Sequence, residues 1–205
     1  MASSVASRAG VDADSNGATA AFALGADTRV VTEDGRYVVP GSGEVGMVAF
    51  RGRMPLGYYK DPAKSERTFQ VIAGDRWSIP GDFATVESDG SLRLLGRGSQ
   101  CINTGGEKVY PEEVEEVIKT HPAAFDAVCV GVPDDRFGEA IVALVELRSG
   151  HKLDPAAIIT HVKGQLATYK APKRVFALDS VGRAANGKVD YAALRAEAIS
   201  RTASR

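Results

Sequence analysis

AVCVGVPDDRFGEAIVALVEL, residues 127–147, decides the fold. It reads as two near-continuous apolar strands, 127–132 and 140–147, parted by Pro133-Asp134-Asp135. Runs of this length, rich in β-branched residues and bounded by turn residues, are strands of a buried sheet. Working outward, Pro111 opens a helix whose first turn carries Glu112, Glu113, Glu115 and Glu116, which suits the positive end of the helix dipole. Val114, Val117 and Ile118 are its apolar stripe, and its carboxylates read as solvated. A second helix starts with Asp154 as N-cap and Pro155 at its first position, with Ile158, Ile159, Val162 and Leu166 on one face. Residues 174–178 are a third strand and 191–200 an Ala-rich helix. A sheet covered by helices, of α+β class, accounts for this half.

The half before it is β-rich. Residues 28–33 and 36–39 form a hairpin about Asp34-Gly35, and 44–50 is a further strand. Asp61-Pro62 opens a helix reaching about Ile72. Residues 75–79, 82–87 and 91–95 are strands, the last two joined by Ser88-Asp89-Gly90. Residues 1–27, biased to Ala, Ser and Gly with no apolar stretch, read as a poorly ordered lead-in: a tail, or the cut edge of something larger. Gly96-Arg97-Gly98-Ser99 gives a flexible joint, so the division is 1–27, 28–97 and 98–205. The sequence has no internal repeat.

Composition narrows the function. In 205 residues, 25 basic side chains face 26 acidic ones, a net charge of −1, so no electrostatic case exists for nucleic acid or an anionic membrane as main partner. No apolar run approaches a membrane span. Cys101 and Cys129 are too few for a disulfide framework and suit a reducing cytoplasm. His121, His151 and His161 show no metal-ligand spacing, so no metal-ligating residue is assigned.

Four places carry residues able to do chemistry. Pro80-Gly81-Asp82 presents a carboxylate that can accept two hydrogen bonds from a vicinal diol. Arg97 stands between Gly96 and Gly98, where a ligand can approach the backbone. Thr104-Gly105-Gly106-Glu107-Lys108 leads through Val109-Tyr110 into the acidic helix, and its paired glycines admit a narrow ligand. Asn186-Gly187-Lys188 puts an ammonium on a long stem just after a tight turn, able to neutralise charge as it shifts between a carboxylate and a phosphate. Taken singly, each also fits ordinary structure: a turn aspartate, a solvated arginine, a hairpin tip, a surface lysine.

In order and spacing, Gly81-Asp82, Gly96-Arg97, the run from Gly106-Glu107-Lys108 to Pro111-Glu112-Glu113-Val114-Glu115, and Gly187-Lys188 resemble the late motifs of the adenylate-forming (AMP-binding) superfamily. That superfamily includes acyl-CoA synthetases, luciferases and peptide-synthetase adenylation domains. Gly57-Tyr58-Tyr59-Lys60-Asp61-Pro62 and Tyr169-Lys170-Ala171-Pro172-Lys173 look like further signatures of it. The resemblance covers about 28–195 and is nearest to bacterial fatty-acyl or steroid-side-chain CoA ligases.

The resemblance implies that 28–97 is the β-rich end of a large ATP-binding domain and that 98–205 is its small mobile α+β lid. It implies that Asp82 holds the adenosine ribose and that Arg97 assists there or at the phosphate. Gly98 and Ser99 would form the hinge, although the family usually has Asp or Lys at Ser99. Gly105, Gly106 and Lys108 would line the CoA tunnel, and Lys188 would be the catalytic lysine of adenylation. The family's usual Pro-Arg-Thr before that lysine is Gly182-Arg183-Ala184-Ala185 here. The family's Ser/Thr/Gly-rich phosphate loop is absent from the sequence. Ala2-Ser3-Ser4 resembles the stub of the next upstream motif, with Val5 where a Mg²⁺-binding glutamate is usual.

The implied reaction consumes ATP, with Mg²⁺, and a small-molecule carboxylic acid to give acyl-AMP, then transfers the acyl group to CoA. This chain alone would be inactive, lacking an N-terminal core region or a partner chain that supplies it. The alternatives are a non-catalytic nucleotide- or CoA-binding or docking module, and an adenylation domain serving a carrier protein.

Overall fold

A computed structural model of the chain describes residues 21–203 apart from Asn186. The Ala2-Ser3-Ser4 motif with Val5, most of the expected lead-in, and the first residue of the Asn186-Gly187 turn lie outside the described residues. The chain divides into two compact units, Met1–Leu94 and Leu95–Arg205. Among the described residues it is a mixed α+β protein with two sheets and four α-helices.

The first sheet has seven strands: β1 Ala21–Ala23, β2 Thr28–Val31, β3 Gly46–Phe50, β4 Phe69–Ile72, β5 Asp75–Ser78, β6 Asp82–Val86 and β7 Ser91–Arg97. Their order is β1-β7-β6-β3-β5-β4, with β2 also on β3. Strand alternation sends neighbouring residues to opposite faces. Val30 joins Val48, Ala84, Val86 and Leu92 on one face, while Val31 joins Ala49, Ile72, Trp77 and Ile79 on the other.

The structure departs from local expectation at three places. Residues 21–27 are not all lead-in, because β1 pairs antiparallel with β7, Ala21 opposite Arg93. Residues 36–39 are not a strand: Tyr37 makes one isolated pairing with Val31, and Pro40, lacking an N–H, follows. Helix α1 Pro62–Thr68 stops four residues short of Ile72. Phe69-Gln70-Val71-Ile72 pairs with β5 instead, because Ala73 (φ 52°) and Gly74 (φ 86°) form a two-residue hairpin turn.

The second unit holds β8 Ile102–Thr104, β9 Glu107–Val109, α2 Pro111–Lys119, β10 Ala124–Asp134, β11 Gly138–Leu147, α3 Pro155–Lys163, β12 Arg174–Leu178 and α4 Tyr191–Ala203. The order is β10-β11-β8-β9, with β12 parallel to β11. Both faces of the long β10–β11 ladder are covered, which explains its unbroken apolar sequence. Ala127, Cys129, Ile141, Ala143 and Val145 pack with Val114, Ile118, Ile158 and Val162 of α2 and α3. Val128, Val130, Val142 and Leu144 pack with Ala198 and Leu194 of α4. The strands run farther than expected, β10 through Pro133 to Asp134. Asp134 Oδ1 closes the turn by accepting from Arg136 N at 3.0 Å and Phe137 N at 2.9 Å. Asp154 caps α3 through Ala157 N at 3.0 Å, with Pro155 following it as expected. No described helix is long and apolar enough to cross a membrane.

Candidate functional site

Within the second unit, a cleft of about 520 Å³ is bounded by the last residue of β7 and the turn after it, by α2 and by the loop leading to α4. Arg97, Ser99, Glu112, Glu115, Arg183 and Lys188 are among its walls. Tertiary structure thus brings together Arg97 and Lys188, which stand far apart in sequence. Both are exposed.

Each wall has a local cause. Gly96 has φ +119°, which strains any other residue there, and a Cβ would also have to displace the Glu112 carboxylate that now fills its space. Arg97 N donates to Glu112 Oε1 at 3.4 Å. Gly98–Gln100 form a single 3₁₀ turn, in which Cys101 N donates to Gly98 O at 3.2 Å. Lys188 follows Gly187, whose φ of +78° turns the chain, with Gly187 N donating to Ala184 O and Ala184 N to Lys188 O, both at 2.8 Å.

Gly105, Gly106 and Lys108 stand outside this cleft, at the exposed β8–β9 hairpin. Gly105 (φ +62°) and Gly106 (φ +88°) form its tip, where Thr104 pairs with Glu107. Gly105 N donates to Phe137 O at 2.9 Å, and the Phe137 ring lies 3.3 Å from where a Cβ would sit. Asp82 belongs to the first unit, half-buried at the start of β6.

The acidic helix differs from its solvated reading. Glu113 is 5% exposed and accepts from Lys170 Nζ at 2.6 Å. Glu115 is 3% exposed and accepts from Cys129 N at 2.8 Å, and burial pushes its carboxyl up to about 8. These two carboxylates bind α2 to the 3₁₀ turn before β12 and to strand β10. Sequence reasoning also passed over Arg183 and Tyr191 as cleft residues. Burial raises the Tyr191 phenol above its ordinary value, as does the nearby Glu115. In the sequence the Asn186-Gly187 turn marks that loop, and Arg183 stands just before it in the departing segment Gly182-Arg183-Ala184.

Comparison with known proteins fits this geometry. Residues 113–188 match the model of the AMP-binding enzyme C-terminal domain. The chain is 54% identical over 164 residues to a 3-oxocholest-4-en-26-oate–CoA ligase of Rhodococcus rhodochrous, covering 80% of this chain and 30% of that protein. It is 51% identical over 165 residues to a medium/long-chain-fatty-acid–CoA/3-oxocholest-4-en-26-oate–CoA ligase of Mycolicibacterium smegmatis, with the same coverage of 80% and 30%. Among solved structures, ATP-bound MatB from Rhodopseudomonas palustris matches with a TM-score of 0.72 at 33% identity, over 84% of this chain and 34% of that one. The chain therefore spans about 30% of the length of the curated relatives it matches. The chain thus carries an AMP-binding enzyme C-terminal domain and is similar to the C-terminal part of adenylate-forming CoA ligases.

Proposed function

We propose that the chain supplies the lid, residues 98–205, and the closing β-rich piece of the ATP-binding domain, 28–97, of an ATP-dependent ligase. That ligase would join a fatty acid or steroid-side-chain acid to CoA. The observation that carries this reading is the placement of Lys188 and Arg97 on one cleft of a unit matching the AMP-binding C-terminal domain. The substrate's carboxylate oxygen attacks the α-phosphorus of ATP and pyrophosphate leaves. The Lys188 ammonium balances the negative charge passing from acid to phosphoryl oxygen, and Arg97 adds a second cation at the phosphate or ribose. Asp82 accepts hydrogen bonds from the ribose hydroxyls.

The lid then turns about Gly98 and Ser99, and CoA thiolate attacks the acyl carbonyl with AMP leaving. Gly105, Gly106 and Lys108 border the pantetheine path, which is supported by the narrow glycine tip of β8–β9. The phosphate loop and the acid pocket would come from residues outside this sequence or from a partner chain. Among the described residues no group of three or more His, Cys, Asp or Glu could hold a metal ion by itself; the Mg²⁺ of the reaction would ride chiefly on the ATP phosphates and neutralise their charge. The free thiols of Cys101 and Cys129 favour the cytoplasm.

The test is Lys188→Ala in the full-length ligase that carries these residues. Acyl-AMP formation is expected to fall about 10²–10³-fold, as when one charge-stabilising donor is lost, while thioester formation from supplied acyl-AMP persists. Adenylate formation at the wild-type rate would overturn the reading. Calorimetry of the 205-residue chain with AMP and with CoA measures residual binding. Robust acyl-CoA production by that chain alone from ATP, Mg²⁺, CoA and octanoate would overturn the claim that it acts as part of a larger catalyst.

A further inference from the structure

We propose that Arg183 is a positioning residue for Lys188: its guanidinium ties the peptide plane that precedes the lysine to strand β10. This deepens the ligase reading and rests on it for the consequence, although not for the geometry. The Lys188 loop has no regular secondary structure, and a four-carbon stem lets the ammonium sweep a wide volume unless its base is held.

Arg183 supplies the hold. Its Nε donates to Asp126 Oδ2 at 2.8 Å and its Nη2 to Asp126 Oδ1 at 3.0 Å, a two-point grip that fixes the plane of the guanidinium. The remaining arm, Nη1, donates to Gly187 O at 3.0 Å. That carbonyl belongs to the peptide bond whose nitrogen is Lys188's own. The same loop is closed by Ala184 N on Lys188 O.

The anchor itself is rigid. Asp126 lies just past a register shift in β10 between Ala124 and Asp126, which inserts Phe125 and re-aims the strand. Its Oδ1 also accepts from Ala127 N at 2.8 Å. Burial raises the Asp126 carboxyl, but the hydrogen bonds from Arg183 and Ala127 N, with the charges of Arg183 and Lys119, together outweigh this and hold it below its ordinary value. A lysine at 183 could neutralise Asp126, but as a point charge it lacks the fork that reaches carboxylate and carbonyl together.

Three measurements test the proposal. In the 205-residue chain, Arg183→Ala should speed hydrogen exchange of the Ala184 and Gly187 amides and leave the β10–β11 ladder unchanged. In the full-length ligase, Arg183→Ala should slow acyl-AMP formation about 10–100-fold, the scale of a small misplacement of a catalytic group, with thioester formation from supplied acyl-AMP within about twofold. On a Lys188→Ala background the same substitution should cost nothing more in adenylation, since Arg183 acts through the lysine. Arg183→Lys and Asp126→Asn, which preserve size, should each show a smaller, equally selective loss of about tenfold.

Unchanged exchange at 184 and 187, equal loss in both half-reactions, or full additivity with Lys188→Ala would overturn the proposal. If Lys188→Ala itself leaves adenylation intact, the ligase reading fails, and the exchange experiment still decides whether Arg183 holds the loop.

Discussion

The two sheets of this chain bury their strands in different ways. In the second unit, α2 and α3 cover one face of the β10–β11 ladder and α4 the other, and strand residues from Ala127 to Val132 are buried without a break. Among the described residues of the first unit the helical contribution is the seven-residue α1. Most of the large apolar side chains exposed among the described residues lie there, with Leu56 96% and Tyr59 88% exposed. Both sheets use the same period-two geometry, so strand propensity does not separate them. Helical cover does, and it makes the second unit the one whose core is closed by its own residues.

Removing packing from the closed core should have the largest effect. Leu144→Ala, at a site with no solvent exposure, is expected to cost about 2–5 kcal/mol in urea unfolding followed by helical ellipticity, which reports chiefly α2, α3 and α4. Trp77 is the single tryptophan and is buried in the first unit, so its fluorescence transition should be unmoved. A matching shift of both transitions would erase the contrast by showing one cooperative core.

A smaller effect concerns the buried carboxyl of the second unit. Glu115 titrates near 8 in the fold against 4.5 for the unperturbed group, so the folded state binds more protons between those values. Stability is therefore fully present below 4.5 and declines as pH rises through 8. Glu115→Gln should flatten that decline while keeping the acceptor for Cys129 N, a change of about 1–3 kcal/mol at the alkaline end. An unaltered pH slope would mean that the group is already ionised at neutral pH.

His121 gives a weaker slope of the opposite sign. Burial, and then the His161 ring 5.2 Å away, hold it below its ordinary value. Stability is thus present above 6.5 and lost as pH falls below it, and His121→Asn should remove that loss in acid unfolding curves. The smallest change belongs to the open unit: Leu56→Ala should stay within about 0.5 kcal/mol, and a larger loss would reveal that this side chain is packed in solution.

What could be read from the chain was what neighbouring residues settle among themselves. Asp154 with Pro155 announces α3, since cap and helix lie within one turn of sequence. The apolar runs of β10 and β11 need no partner to be recognised. Phe69–Ile72 misled because its apolar residues extend the α1 pattern, and the deciding turn comes afterward, at Ala73-Gly74. Arg97, Gly105, Gly106 and Lys188 were selected by order and spacing, which identify a family of sites without stating which side chains meet.

The sequence by itself determined strand period, helix starts, turn glycines and the membership of motifs, because each depends on steric and hydrogen-bonding preferences acting over a few residues. Only the tertiary structure decided that Arg97 and Lys188 share a cleft. It alone decided that Glu113 is buried on Lys170, 57 positions away, and that Arg183 reaches Asp126 across an equal separation. Such pairings depend on which surfaces the sheet and helices press together. That is set by the burial of apolar area summed over the whole unit, which no local window of sequence contains.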